Sequence, residues 1–308
     1  MELRQLRYFV RIVELGSFSQ AAAALDVVPS ALSQQISRLE SELSTRLLQR
    51  SSAGVRPTEA GLAFLHQARL ALRHVDAAAS AARSARLSGQ VSVGMSPTIA
   101  GVLGLPLLLA MRERHPSVRV HFVETLSGHL ADMLTARTLD LAIVFRSDLA
   151  RRFSIVPLLE ERLFVIGRQS LPGMPSGRSV RLSALGSLPL VLPSAPHDLR
   201  SMLDQAFARA RVAPNVVAEI DGLAILMDFV LGGIAASIQP GAAIARLGPG
   251  MLAAVPISDT PARRPVLLAS LSDDELSPAG LATRVVTAEV ARDLVRAQKW
   301  VGAALHES

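Results

Sequence analysis

Between Val28 and Leu43 runs the segment Val-Pro-Ser-Ala-Leu-Ser-Gln-Gln-Ile-Ser-Arg-Leu-Glu-Ser-Glu-Leu, a helix with an uncommon outer surface. Leu32, Ile36, Leu39 and Leu43 recur at helical spacing and share one face, which has to be buried. Ser30, Gln34, Ser37, Arg38 and Ser41 share the other, and a plain solvated helix would carry Glu and Lys there instead. Short hydrogen-bonding side chains with a cation among them suit base edges and phosphates, which a helix can approach closely in a major groove. Upstream, Leu3, Leu6, Phe9, Val10 and Val13 form a helical face that Gly16 terminates. Ser19 then caps a short Ala-rich helix, Gln20–Leu25. The order is helix-turn-helix, which points to a DNA-binding module.

Downstream, Leu47–Arg50 and Val55–Pro57 flank Ser51-Ser-Ala-Gly54, the pattern of a two-stranded wing with a tight turn. Arg50 and Arg56 are placed there for phosphates. Thr58 begins a long helix reaching about Arg86, along which Leu65, Ala68, Leu72, Val75, Ala79 and Ala82 alternate steps of three and four. Such a seam pairs helices between two copies of a chain. The same spacing also serves a helix packed on its own domain, so two readings stand.

Charge agrees with this division of labour. The formal net charge is +6, and Met1–Arg86 holds eleven Arg against seven acids. A basic N-terminal module fits a polyanion, although an Arg- and Ala-rich composition can equally reflect a genome-wide bias.

From Gly89 onward short apolar strands alternate with helices: Gln90–Gly94, Ile99–Arg114, Val118–Val123, Leu130–Ala136 and Leu139–Phe145. A second such passage follows, with Leu163–Gly167, Pro189–Leu192, Leu199–Arg211, Val216–Ile220, Leu223–Leu231 and Ile234–Ile238. This alternation predicts two α/β units with mainly parallel sheets and a ligand cleft between them, at the strand carboxyl ends. Ser96 and Thr98 follow a strand and precede a helix, where hydroxyls and free backbone N–H groups hold carboxylates or phosphates, or simply cap the helix. Ser127 lies at the next such turn. Ser194 and His197, with Arg200 a turn further on, offer hydroxyl, imidazole and guanidinium in the second unit, where His197 can equally be an ordinary loop histidine. Phe145 and Arg146 at a strand end can supply an apolar wall and a cation, or Arg146 can be solvated.

Several classes drop out. No cysteine is present, which removes disulfides, thiolate metal sites and thiol nucleophiles. Neither a phosphate-binding Gly-Lys-Ser/Thr loop, a Gly-x-Ser-x-Gly elbow nor a His-Glu-x-x-His pair occurs, so no enzyme, metal or cofactor is expected. Leu87–Met111 lacks charge, but its first half is polar and the apolar remainder is too short for a bilayer. With Glu2, Arg4, Arg7 and Arg11 in its first turns, the N-terminus is no secretory signal, and a cytoplasmic protein without a membrane partner is expected. The rivals are a transport-type binding protein and an enzyme fused to a DNA-binding domain.

Taken with this order of elements, several runs resemble the LysR-type transcriptional regulators. They are Leu3-Arg-Gln-Leu-Arg-Tyr-Phe9, Gly16-Ser-Phe-Ser-Gln-Ala-Ala22, Ala31-Leu-Ser-Gln-Gln-Ile-Ser-Arg-Leu-Glu40, Leu47-Leu-Gln-Arg50 and Pro57-Thr-Glu-Ala-Gly61. Ser88-Gly-Gln-Val-Ser-Val-Gly94, Leu163-Phe-Val-Ile-Gly167 and Ala218-Glu-Ile-Asp221 are similar to the branch that controls nitrogen assimilation. The resemblance implies a winged helix-turn-helix over 1–58, a dimerising linker helix over 59–88 and a periplasmic-binding-protein-like effector domain over 89–308. Within the last, one subdomain spans about 89–161 and 268–308 and the other about 162–267, with crossover strands near Leu158–Leu163 and Thr260–Leu267. It further implies a homodimer or dimer of dimers on an interrupted inverted repeat of duplex DNA, a small-molecule effector, and RNA polymerase as a further partner. Two departures stand out. Pro29-Ser30 replaces the family's frequent Gln-Pro, shifting base reading toward Ser33 and Gln34, and Ala53 replaces a basic wing tip, leaving the phosphates to Arg50 and Arg56.

Overall fold

The computed structural model describes residues 1–51, 54–83, 87–145, 153–195, 197–245, 247, 250–259 and 263–305. They form two compact units, Met1–Gly89 and Gln90–Ser308.

The first unit opens with α1 (Leu3–Leu15), whose leading turn is closed by the Glu2 backbone N–H donating to Gln5 Oε1 at 2.8 Å. Gly16 ends it in the left-handed conformation, φ 62°, a position glycine fills without strain. The next helix, α2 (Phe18–Ala24), starts two residues before the sequence reading, because Ser17 rather than Ser19 accepts from the Gln20 N–H. Then come α3 (Pro29–Glu42), strands β1 (Leu48–Ser51) and β2 (Gly54–Pro57), and α4 (Glu59–Arg83). Proline at the first position of α3 has no N–H to leave unpaired and presets the helical φ. Phe9, Ile12, Ala21, Ala22, Leu32, Ile36, Leu39, Leu47 and Leu48 make the core, whereas Leu43 lies just beyond the helix and is 36% exposed. Glu40 Oε1 accepts from the Leu47 and Leu48 N–H groups at 2.7 and 3.0 Å, fastening the wing to α3. Gly61 is obligatory here, since a Cβ would sit 2.0 Å from the Leu47 carbonyl oxygen.

In the second unit, β3 (Gly89–Met95) leads into the single turn α5 (Pro97–Ile99), a π-turn (Ala100–Gly104) and α6 (Leu105–Arg114). Next are β4 (Val118–Glu124), α7 (Ser127–Thr135), β5 (Leu141–Val144) and the long β6 (Ser154–Gly167). The chain continues through β7 (Pro189–Leu192), α8 (Asp198–Ala210), β8 (Asn215–Glu219), α9 (Leu223–Leu231) and β9 (Ser237–Pro240). It closes with β10 (Ala253–Pro256), β11 (Arg263–Ser270), α10 (Pro278–Arg296) and β12 (Ala303–Ala304).

Strand β6 serves two sheets. Its first nine residues pair antiparallel with β11, which pairs in turn with β5, while its last residues pair with β9 and β10. One apolar core, including Leu130, Leu134, Leu139 and Leu267, lies on one side of this junction. A second, including Leu163, Leu190, Leu203 and Phe207, and a third, including Phe164, Ile166, Leu226 and Val230, form around the last part of β6. The sheets are mixed rather than mainly parallel. Parallel pairing joins β3 with β5 and β7 with β8, whereas β6, which passes between sheets, and β11 meet their neighbours antiparallel. Among the described residues no helix is long and apolar enough to cross a membrane.

Candidate functional site

In the first unit the outer face of α3 presents Ser30, Gln34, Ser37 and Arg38, all exposed. Ser33 is half-buried, and its Oγ accepts from Arg50 Nη2 at 2.9 Å. The same guanidinium lies 4.0 Å from the centre of the Phe18 ring, so Arg50 joins β1, α2 and α3. The wing does not hold its two arginines alike. Arg56 stands opposite Gln49 and Arg50 opposite Val55, which puts them on opposite faces of the ribbon. Arg56 is exposed and has no side-chain partner among the described residues. The turn residues Ser52 and Ala53 lie outside the described residues.

Along α4 the seam divides. Leu65 packs on the unit's own core and Ala68 is 2% exposed, so the first turns of the seam are used within the chain. Phe64 stands edge-on to Phe9, 5.1 Å between ring centres. Leu72 and Val75 remain half-buried, and the side chains of Ala79 and Ala82 lie outside the described residues.

In the second unit a cavity opens beyond the carboxyl ends of β3, β7 and β8. It is lined by Ser96, Pro97 and Thr98 on one side, by Pro193, His197, Leu199, Asp221, Leu223 and Leu226 on another, and by Leu126, Gln239 and Arg264. Its free volume is about 30 Å³, room for about one or two water molecules. Ser96 and Thr98 are buried, with their hydroxyls 3.3 Å apart, and Ser96 makes no side-chain cap for α5. Arg264 donates from Nη2 to Thr98 Oγ1 at 3.3 Å and from Nε to Glu161 Oε2 at 2.7 Å. Glu161 is wholly buried, and its second oxygen accepts from the Trp300 indole at 2.8 Å. Arg264 is itself 4% exposed. Its Nη1 has no partner among the described residues.

Three expected effector positions behave differently from the sequence reading, and a fourth is not described. Phe145 is no cavity wall: its ring lies 3.8 Å beneath the Arg264 guanidinium and supports it. Ser127 is buried with no hydrogen-bond partner for its hydroxyl among the described residues. Because α7 starts at Ser127 with Leu126 as its cap, the leucine is the residue that reaches the cavity. Ser194 does not line the cavity; its N–H donates to Asp221 at 2.8 Å and its hydroxyl at 3.0 Å. Arg146 lies outside the described residues.

His197 does line the cavity and caps α8, its Nδ1 accepting from the Leu199 N–H at 3.1 Å. That bond leaves the ring proton on Nε2. Burial first, then the nearby Arg264 charge, push the His197 pKa below its ordinary value. Asp221 is held below the usual carboxylate range by the Ser194 backbone and side-chain hydrogen bonds, and so stays ionised. Arg200, which ties the loop to α8 and β8 by donating to Pro193 O at 3.0 Å and to Glu219 at 2.5 Å, does not line the cavity.

Arg264, Asp221 and Gln239 are cavity residues that the sequence reading missed. One signal was available for Arg264: the pair Arg263-Arg264 stands directly before the apolar run Pro265-Val-Leu-Leu-Ala269, and a charge entering a buried strand needs a buried partner.

Comparison with known proteins agrees with this geometry. Residues 3–62 match the family described as bacterial regulatory helix-turn-helix protein, lysR family, and residues 84–292 match the LysR substrate binding domain. The nitrogen assimilation regulatory protein nac of Escherichia coli K12 is 37% identical over 246 residues, 79% of each chain. Its counterpart from Klebsiella aerogenes is 36% identical, again over 79% of each. Among solved structures, a full-length OxyR variant from Pseudomonas aeruginosa superposes with a TM-score of 0.74 at 24% identity, covering 95% of this chain and 98% of that one. The two matched segments coincide with the helix-turn-helix that presents Ser30, Gln34, Ser37 and Arg38 and with the α/β unit that encloses Arg264, and the chain belongs to the LysR family of transcriptional regulators.

Proposed function

We propose that the chain regulates transcription by reading duplex DNA with its first unit and sensing a small oxyanion-bearing effector in the cavity of its second. Ser30, Gln34, Ser37 and Arg38 would meet base edges and phosphates, Ser33 would do so while held by Arg50, and Arg56 would anchor the wing. The operator would be an interrupted inverted repeat bound by a homodimer or a dimer of dimers. Such a protein works in the cytoplasm, touches RNA polymerase at promoters and carries out no catalysis.

The observation that carries the effector reading is the buried cluster of Ser96, Thr98 and Arg264, with Arg264 Nη1 left for a ligand oxygen. The present cavity is too small for most metabolites. An effector of more than a few atoms therefore enters by parting the two sheets, and it shifts the protein toward whichever state it binds better.

Ser96→Val and Thr98→Val remove a hydroxyl at nearly constant bulk and leave a ligand oxygen unpaired, at a cost of about 1–3 kcal/mol in effector affinity. The check is a reporter titration at a promoter found by genome-wide mapping of bound sites. The half-response concentration should rise in both variants while effector-free DNA affinity is unchanged. Superimposable curves for wild type and both variants would move the sensing chemistry elsewhere.

A further inference from the structure

The charges around the cavity are not those of a simple anion receptor. Among the described residues Arg264 is the one lining guanidinium, and Glu161 lies 2.6 Å behind it, wholly buried, so that the pair is neutral as a unit. His197 stays uncharged near neutral pH, because burial and Arg264 both oppose its protonation. Asp221 remains: an ionised carboxylate that borders the cavity and is otherwise exposed to solvent, its oxygens accepting from Ser194 and, among the described residues, bonded to no Arg or Lys. The lining alone, Arg264 and Asp221, is neutral, and because Glu161 behind it already neutralises Arg264, the Asp221 charge is the one left over. A purely anionic ligand gains little from the neutralised Arg264–Glu161 pair and meets repulsion from Asp221, which solvent weakens at its exposed side.

We infer that the effector is a zwitterion of the amino-acid class, its carboxylate seated on Ser96, Thr98 and Arg264 Nη1 and its ammonium facing Asp221. This rests on the oxyanion reading above and adds the second pole. The two poles differ in construction. The oxyanion end has two buried hydroxyls and a guanidinium stacked on Phe145, which fixes its direction. At the other end, Ser194 holds the Asp221 carboxylate in place with two hydrogen bonds, leaving lone pairs for an ammonium group. His197 lines the wall with Nε2–H available as a donor, which favours an additional ligand oxygen over a second ammonium. Effectors with a neutral or oxygen-bearing side chain fit this arrangement better than those with a basic one.

The test uses the purified full-length protein. A thermal-shift screen of the twenty standard amino acids comes first. Calorimetry then follows the best of them alongside its des-amino acid and its decarboxylated amine. The amino acid should bind at least about tenfold more tightly than either truncated analogue, since each loses a charge-assisted contact. Asp221→Asn keeps a group able to bond Ser194, and it should weaken the amino acid about tenfold while the des-amino acid binds no worse. Thr98→Val should weaken both. Equal affinity for the amino acid and its des-amino analogue, unaffected by Asp221→Asn, would overturn the zwitterion and leave the oxyanion site standing. Binding insensitive to Thr98→Val as well would remove that site too. Should no amino acid bind while acetate or succinate does, the zwitterion assignment also fails.

Discussion

Arg50 and Arg56 look interchangeable in the sequence, but their surroundings set them apart. Arg50 is stacked on Phe18 at 4.0 Å and bonded to Ser33 at 2.9 Å. An exposed cation–π contact contributes about 0.5–1 kcal/mol and a side-chain hydrogen bond about 1 kcal/mol. Arg50 thus gains from contacts inside the protein that DNA binding would have to keep or replace. Arg56, on the other ribbon face, gives up nothing of the kind. Arg56→Ala should therefore weaken binding to every duplex and flatten the slope of log affinity against log salt by about one unit. Arg50→Ala should change the slope less and instead erode discrimination between a bound promoter fragment and random duplex, because Ser33 loses the partner that fixes its hydroxyl. Fluorescence anisotropy across a salt series separates the two behaviours. An equal loss of slope in both variants would return Arg50 to the phosphates and cancel its positioning role.

Among the elements, α4 poses the sharpest question, because one helix carries a single period but serves two environments. Leu65 and Ala68 are packed inside the first unit, so Leu65→Glu should unfold that unit rather than separate subunits. Leu72 and Val75 are only half-covered in the single chain, and a second helix would complete their burial. Leu72→Glu and Val75→Glu should therefore yield a smaller sedimenting species with normal α/β circular dichroism and lost operator binding. Unchanged mass in both would mean that the whole seam packs within one chain. Elements with a clean apolar period were legible in the sequence: α1, α3, β7 and α9 lie close to where the spacing puts them. The first half of β6 was not, because Pro157 and Glu160-Glu161-Arg162 break its apolar alternation and the partner strand lies about a hundred residues further on. Helix α10 escapes for a related reason, although Ser277 caps it and Pro278 starts it. Thr283 and Thr287 occupy its buried face and donate to Ala279 O and Thr283 O, so the apolar stripe is interrupted by polar residues that satisfy themselves. At the cavity, Ser96, Thr98 and His197 could be read from their places after strands. Arg264 and Gln239 could not, since they enter from strands whose pairing no local pattern reveals.

Across the whole second unit, Glu161 is the point where separate stretches of chain are tied together. Its side chain accepts from Arg264 on β11 and from Trp300 just after α10, and β12 pairs with β6 at Glu161 and Glu160. The closing segment is also fixed by close backbone approach. A Cβ at Gly302 would fall 2.4 Å from the Phe164 ring, and one at Gly241 would fall 2.2 Å from the Val301 carbonyl oxygen. Residues 300–304 therefore lie against both sheets at the strand that links them, and the charge binding the three stretches is the one that supports the cavity-lining guanidinium. Glu161→Gln keeps the shape and an acceptor for Trp300 but leaves the Arg264 charge buried without its counter-ion. Breaking a buried pair in this way costs about 3–5 kcal/mol. The loss should appear in hydrogen exchange as faster exchange over 154–167, 263–270 and 300–304, with 3–57 in the separate first unit exchanging as before. Trp300→Phe removes one neutral hydrogen-bond donor and leaves the ion pair, so it should speed exchange over 300–304 much more than over 263–270. If Glu161→Gln exchanged like the wild type in all three segments, the ion pair would not be what joins the sheets, and cavity opening would have to be controlled by packing alone.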